Sequence, residues 1–174
     1  ALVVLSRVGA AQASTAFAFG TYNNATYRFS AHLTWSDGNV YFDFGGISAP
    51  NRVVATSQAI DSTPAAFVLT AGPDGMRIFR DGRLIASSSA APTRGNPTGC
   101  FFGLGLDPTS GATPMSQVDT GATYYAQAFW PEQISDRIAE QLSADPWGLF
   151  KSPPRRLYFD VPAGAATVQT DGTI

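Results

Sequence analysis

Glutamate, histidine, cysteine and net charge are all scarce in this chain of 174 residues, and each scarcity excludes something. One cysteine, Cys100, cannot form an internal disulfide, so the redox compartment stays open. With one histidine, His32, the ligands of a usual zinc site are missing too. Lys and Arg number 11 against 13 Asp and Glu, a net charge of -2. No basic excess exists to neutralise a phosphate backbone, which argues against general nucleic-acid binding. No run approaches the ~18 apolar residues of a membrane span, so no membrane partner is expected. Charged residues make up only 14%, against a usual share of roughly 25%.

What is present is apolar and turn-rich. Hydrophobic residues reach 44%, with 17 Gly and 12 Pro. That composition supports one domain with a sizeable core and many turns. The opening run Ala1-Leu2-Val3-Val4-Leu5 reads as a strand. It lacks a basic flank and is too short for a signal peptide. A start at Ala inside an apolar run leads us to expect residues upstream; removal of an initiator Met is the alternative.

Short strands around Asp-Gly turns dominate the pattern. Ala31 to Trp35 and Val40 to Phe44 flank Asp37-Gly38, a strong hairpin cue because both residues tolerate positive φ. Ala66 to Thr70, Met76 to Arg80 and Leu84 to Ser87 are joined by Pro73-Asp74-Gly75 and Asp81-Gly82, which predicts a three-strand meander. Further strands are expected near Leu2–Val8, Thr15–Phe19, Thr26–Ser30, Arg52–Thr56, Cys100–Leu106 and Thr123–Phe129. Spaced roughly 8–15 residues apart, they predict an all-β, antiparallel sandwich. One short helix is expected: Ser135 is a good N-cap, Asp136 suits the helix start, and Ile134, Ile138 and Leu142 share a face. Pro146 ends it. The long segments Ser87–Gly99 and Asp107–Gly121 read equally as binding loops or as surface slack.

The hairpin Met76-Arg77-Ile78-Phe79-Arg80-Asp81-Gly82-Arg83-Leu84-Ile85-Ala86 resembles the central hairpin of laminin-G-like, concanavalin A-like jelly rolls. Tyr124 to Ile138 resembles the closing strand and short helix of that family. The continuation Leu142 to Phe150 with Asp145-Pro146-Trp147, followed by Pro153-Pro154-Arg155-Arg156, resembles the version in tailed-phage and prophage proteins. The resemblance implies a laminin-G-like β-sandwich over 1–150 and a C-terminal arm over 151–174. It also implies a virion component, a capsid decoration or tail protein, assembled in the host cytoplasm and carried on the extracellular particle. Its partners would be other virion or self subunits in an oligomer or larger assembly. Arg155, Arg156 and Tyr158 would make the arm's contacts, and an open edge at Ala1–Val8 would accept a strand.

Related jelly rolls include glucanases with Glu-x-Asp-x-x-Glu on one strand, supplying two carboxylates about 5–5.5 Å apart. This chain has only Glu132 and Glu140, both at the expected helix, and Asp43 stands alone on its strand. No Gly-x-Ser-x-Gly elbow accompanies His32. Gly103-Leu104-Gly105 lacks the third glycine and the helix of a dinucleotide fingerprint. An enzyme is therefore not expected. Laminin-G and pentraxin-like relatives hold Ca²⁺ at the rim, where Asp107 and Asp119 could supply oxygens; no other cofactor is implied. The alternative to a virion role is a lectin-like domain for a cell-surface glycan. Tyr22, Asn23, Asn24, Trp35 and Tyr41 are its candidate aromatic and hydrogen-bonding groups.

Overall fold

The structure is a computed structural model that describes residues 1–19, 29–93 and 121–151, together with the strand at 100–102. In chain order the strands are β1 (Leu2–Arg7), β2 (Phe17–Phe19), β3 (Phe29–His32), β4 (Val40–Phe44), β5 (Arg52–Ala55), β6 (Ala65–Gly72), β7 (Gly75–Arg80), β8 (Arg83–Ser88), β9 (Cys100–Phe102) and β10 (Ala122–Ala128). Helix α1 (Asp136–Ala144) follows. The strands form two antiparallel five-stranded sheets, ordered β10-β1-β6-β7-β8 and β5-β4-β3-β2-β9. This is the expected sandwich.

Alternation along each strand sorts the side chains. Val3, Leu5, Phe67, Leu69 and Ile78 of the first sheet meet Phe17, Ala31, Val40, Phe42 and Val53 of the second. Leu2, Val4, Ala66, Val68 and Phe79 point the other way and form a second core beneath α1, with Ala139. That is why β1 is a continuous apolar run: both of its faces are covered. It pairs with β10 on one side and β6 on the other. The expected free edge at Ala1–Val8 is therefore corrected, because an interior strand has no unpaired ladder to offer.

The meander β6-β7-β8 forms as expected. Its second turn places Asp81 at φ 48° and Gly82 at φ 80°, the left-handed pair that a two-residue hairpin needs. The first hairpin differs. β3 stops at His32 and β4 starts at Val40, so Leu33 to Trp35 belong to a longer connection rather than to the strand. The cause is tertiary. Leu33 is fully buried, and the buried Arg7 guanidinium reaches from β1 to donate to the Leu33 carbonyl (3.2 Å) and the Thr34 hydroxyl (2.5 Å).

Helix α1 is capped as expected, with Ser135 Oγ accepting from the Ile138 N–H. Its buried face is set differently. Ala139 and Ser143 are buried, whereas Ile138 is 46% exposed. The small Ala139 lets the helix approach the sheet closely. Ser143 Oγ accepts from the Gly82 N–H at 3.0 Å, and Asp136 pairs with Arg77 at 3.1 Å. These contacts rotate the helix away from the Ile134–Ile138–Leu142 stripe, though Ile134 and Leu142 still pack on the second core. Pro146 also does more than end the helix: it opens a 3-10 helix through Phe150, with Trp147 and Phe150 exposed.

Phe42 sits at the centre of the inter-sheet core with no exposed surface. Phe42→Ala is expected to destabilise the fold by ~3–5 kcal/mol, measured by urea unfolding.

Candidate functional site

The outward side of β3, β4 and β5 carries Ser30, His32, Tyr41, Asp43 and Arg52. Because Val40 and Phe42 point into the core, Tyr41 and Asp43 point outward. Register then assigns their neighbours. Tyr41 lies between His32 and Val54, and Asp43 between Ser30 and Arg52.

Asp43 is fully buried, and Arg52 grips it with a two-pronged contact. Arg52 Nε donates to Oδ1 at 2.5 Å and Nη2 donates to Oδ2 at 2.7 Å. Ser30 Oγ donates to Oδ2 at 3.4 Å. Such a fork fixes the guanidinium plane as well as its distance. The Asp43 hydrogen bonds hold the Arg52 guanidinium above its ordinary pKa. The guanidinium carbon lies 4.9 Å from the centre of the Tyr41 ring.

At the exposed end of this strip, Tyr41 donates its hydroxyl proton to Asp37 Oδ2 at 2.6 Å. Asn39 donates to Asp37 twice, from its backbone N–H at 2.9 Å and from Nδ2 at 3.1 Å. These bonds, the Tyr41 hydroxyl first and the Asn39 N–H second, hold the Asp37 carboxyl below the usual carboxylate range. Asn39 Oδ1 accepts from the Ser57 N–H at 3.1 Å, which ties the connection to the segment after β5.

Three rings complete the face. His32 lies 4.6 Å from Trp35 and 6.3 Å from Tyr41, edge-on to both. His32 Nδ1 is 3.0 Å from the Ser14 carbonyl, which can only accept, so the proton is placed on Nδ1. Thr15 Oγ1 is 3.1 Å from the same nitrogen. His32 is thus a buried, hydrogen-bonded spacer, while Trp35 and Tyr41 stay half-buried with surface to offer.

Of the residues singled out in the sequence, Trp35 and Tyr41 are brought together through His32. Tyr22, Asn23 and Asn24 lie outside the described residues, as do Asp107 and Asp119 of the calcium expectation and Arg155, Arg156 and Tyr158 of the arm. Among the described residues, no three or more His, Cys, Asp or Glu side chains gather as a metal site. No helix among them is long and apolar enough to cross a membrane. Asp37, Asn39, Asp43 and Arg52 were not expected to act together. The alternation of Tyr41 and Asp43 was a visible signal, and so was a strand near Arg52–Thr56; the pairing of that strand with β4, which sets Arg52 beside Asp43, was not.

The arrangement can hold a polar ligand against aromatic faces. It is unsuited to acid catalysis at Asp37, whose pKa moves opposite to the rise that a general acid needs. A separate cavity of about 160 Å³ touches Phe29, Phe42, Phe44, Leu69 and Trp130. Phe42 and Phe44 reach it from the inward side of β4, across the sheet from Tyr41 and Asp43.

Tyr41→Phe removes the largest cause of the low Asp37 pKa. The Asp37 carboxyl, followed by NMR through an acid titration, is expected to protonate at higher pH in the variant, closer to the ordinary carboxylate range. The organised state needs Asp37 ionised, so the contribution of these bonds persists above that ordinary pKa and is lost as pH falls through the lowered native one.

No protein-family model matches the sequence, and no curated protein matches it. Among solved structures, the chain is similar to the CBM40 domain of the Ruminococcus gnavus IT-sialidase, solved bound to α2,6-sialyllactose. The TM-score is 0.55 at 15% identity, over 82% of this chain and 80% of that one. At that identity the likeness establishes the jelly-roll sandwich; it does not extend to the phage-type laminin-G assignment.

Proposed function

We propose that this protein is a non-catalytic carbohydrate-binding module, with the sugar seated on the outward face of β3, β4 and β5. The observation that carries the reading is the Trp35–His32–Tyr41 ring row set beside hydrogen-bonded Asp37 and Asn39. Sugar rings present C–H faces that pack on aromatic side chains and hydroxyls that need fixed polar partners. Preorganised partners matter, because side chains already held in place lose little further freedom on binding. The CBM40 neighbour supports the reading, since its structure contains a bound glycan on a similar sandwich.

The virion role implied by Leu142 to Phe150 with Asp145-Pro146-Trp147 and by the Pro153-Pro154-Arg155-Arg156 arm gains no support from the structural neighbour, and the arm lies outside the described residues. One sandwich architecture serves many functions, so the ring row and its polar neighbours favour the lectin-like reading over it.

Trp35→Ala is expected to weaken glycan binding roughly tenfold or more while the far-ultraviolet circular dichroism stays that of the wild type. The measurement is a glycan array followed by titration calorimetry on the strongest hit. Wild-type affinity in the variant, or no binding by the wild type, would reject the proposal.

A further inference from the structure

Strand β6 outruns its neighbour β1. It continues to Gly72, whereas its pairing with β1 stops where Ala1 meets Leu69. There the Ala1 nitrogen donates to the Leu69 carbonyl and the Leu69 N–H donates to the Ala1 carbonyl, both at 2.8 Å. In an antiparallel pair, the residues that bond toward one neighbour recur at every second position. Ala71 is the next such residue of β6. Its N–H and C=O point to the same side, past the end of β1, and no described strand pairs with them there.

The cavity of about 160 Å³ lies at this place. Ala1, Thr70 and Ala71 bound it from the first sheet, and Phe29, Phe42 and Phe44 bound it from the second. Thr70 adds an independent sign. Its residue is only 4% exposed, and its hydroxyl has no hydrogen-bond partner. A buried polar group left in that state is costly.

We infer that the cavity is a strand-extension slot: polypeptide joined at the Ala1 nitrogen runs along β6, continues β1 and fills it. Only Thr70, Ala71 and Gly72 remain for pairing, a short ladder for a free peptide. A joined segment arrives already aligned, at high effective concentration.

Register and pleat set what fits. Ala1, Val3 and Leu5 face the inter-sheet core, while Leu2 and Val4 face α1. The residue joined directly to Ala1 therefore lies opposite Thr70 on the α1 side, in a non-hydrogen-bonded pair whose side chains approach closely. A serine or threonine there meets the unpartnered hydroxyl. The residue before it lies opposite Ala71, exchanges both main-chain bonds with it and turns its side chain toward the three phenylalanines. An apolar residue suits that position. The slot thus reads an apolar residue followed by Ser or Thr, with affinity from the ladder and selectivity from alternate side chains.

The test compares the whole chain beginning at Ala1 with two versions that carry a prefix ahead of it, Thr-Val-Ser or Thr-Ser-Val. Amide exchange at Ala71 is followed by NMR, and Tm by circular dichroism. Thr-Val-Ser is expected to slow Ala71 exchange tenfold or more and to raise Tm by about 2–4 °C. Thr-Ser-Val turns serine toward the phenylalanines and valine toward Thr70, so its gain in Tm is expected to be smaller. Unchanged Ala71 exchange with Thr-Val-Ser would overturn the inference. So would equal gains from the two prefixes, since added residues in the register of β1 cannot be indifferent to face. Slower exchange when N-acetylalanine methylamide is added to the chain without a prefix, together with no effect of either prefix, would give the cavity to a free ligand and overturn it as well.

Discussion

The pleat of β4 is the constraint on which the candidate site rests. Phe42 and Val40 are held in the inter-sheet core, so Tyr41 and Asp43 cannot leave the opposite face without emptying that core. A slip of one residue would expose a phenyl ring and bury two polar side chains against apolar neighbours. The register that places Arg52 beside Asp43 and His32 beside Tyr41 is therefore enforced by hydrophobic burial. The polar contacts inherit positions that the core has already set.

From that base, order passes outward in steps. A buried carboxylate demands a partner, and the Arg52 fork answers it. The fork sets the guanidinium, which lies against the Tyr41 ring. The Tyr41 hydroxyl in turn aligns Asp37, and Asn39 closes the turn around it. Burial falls from the enclosed Asp43 through the half-buried Arg52 and Tyr41 to the exposed Asp37. The gradient gives an enclosed base with an accessible tip.

Much of the fold was legible in the residues. The unbroken apolar run of β1, the Asp81-Gly82 turn and the Ser135 cap each act through local rules, and each appears where expected. The departures share a different cause. The Asp37-Gly38 hairpin opens into a longer connection because Arg7, remote in sequence, takes hold of Leu33 and Thr34. Helix α1 presents Ala139 and Ser143 instead of Ile138 because a small side chain permits closer approach to the sheet. The edge expected at Ala1–Val8 is interior because β10 returns to cover it. Half of the site was equally hidden: Trp35 and Tyr41 could be named as aromatic candidates, while Asp43 looked isolated until β5 lay beside it.

The order of residues alone determined the alternation of faces, the positions of tight turns and the helix start, since each follows from neighbours a few residues apart. Only the tertiary structure decided which strands beyond the turn-linked β6-β7-β8 meander lie side by side, and hence that Arg52 lies beside Asp43 while Asp37 remains open to solvent. Those neighbours are chosen by the mutual burial of apolar surfaces far apart in the chain, and no local pattern encodes that choice.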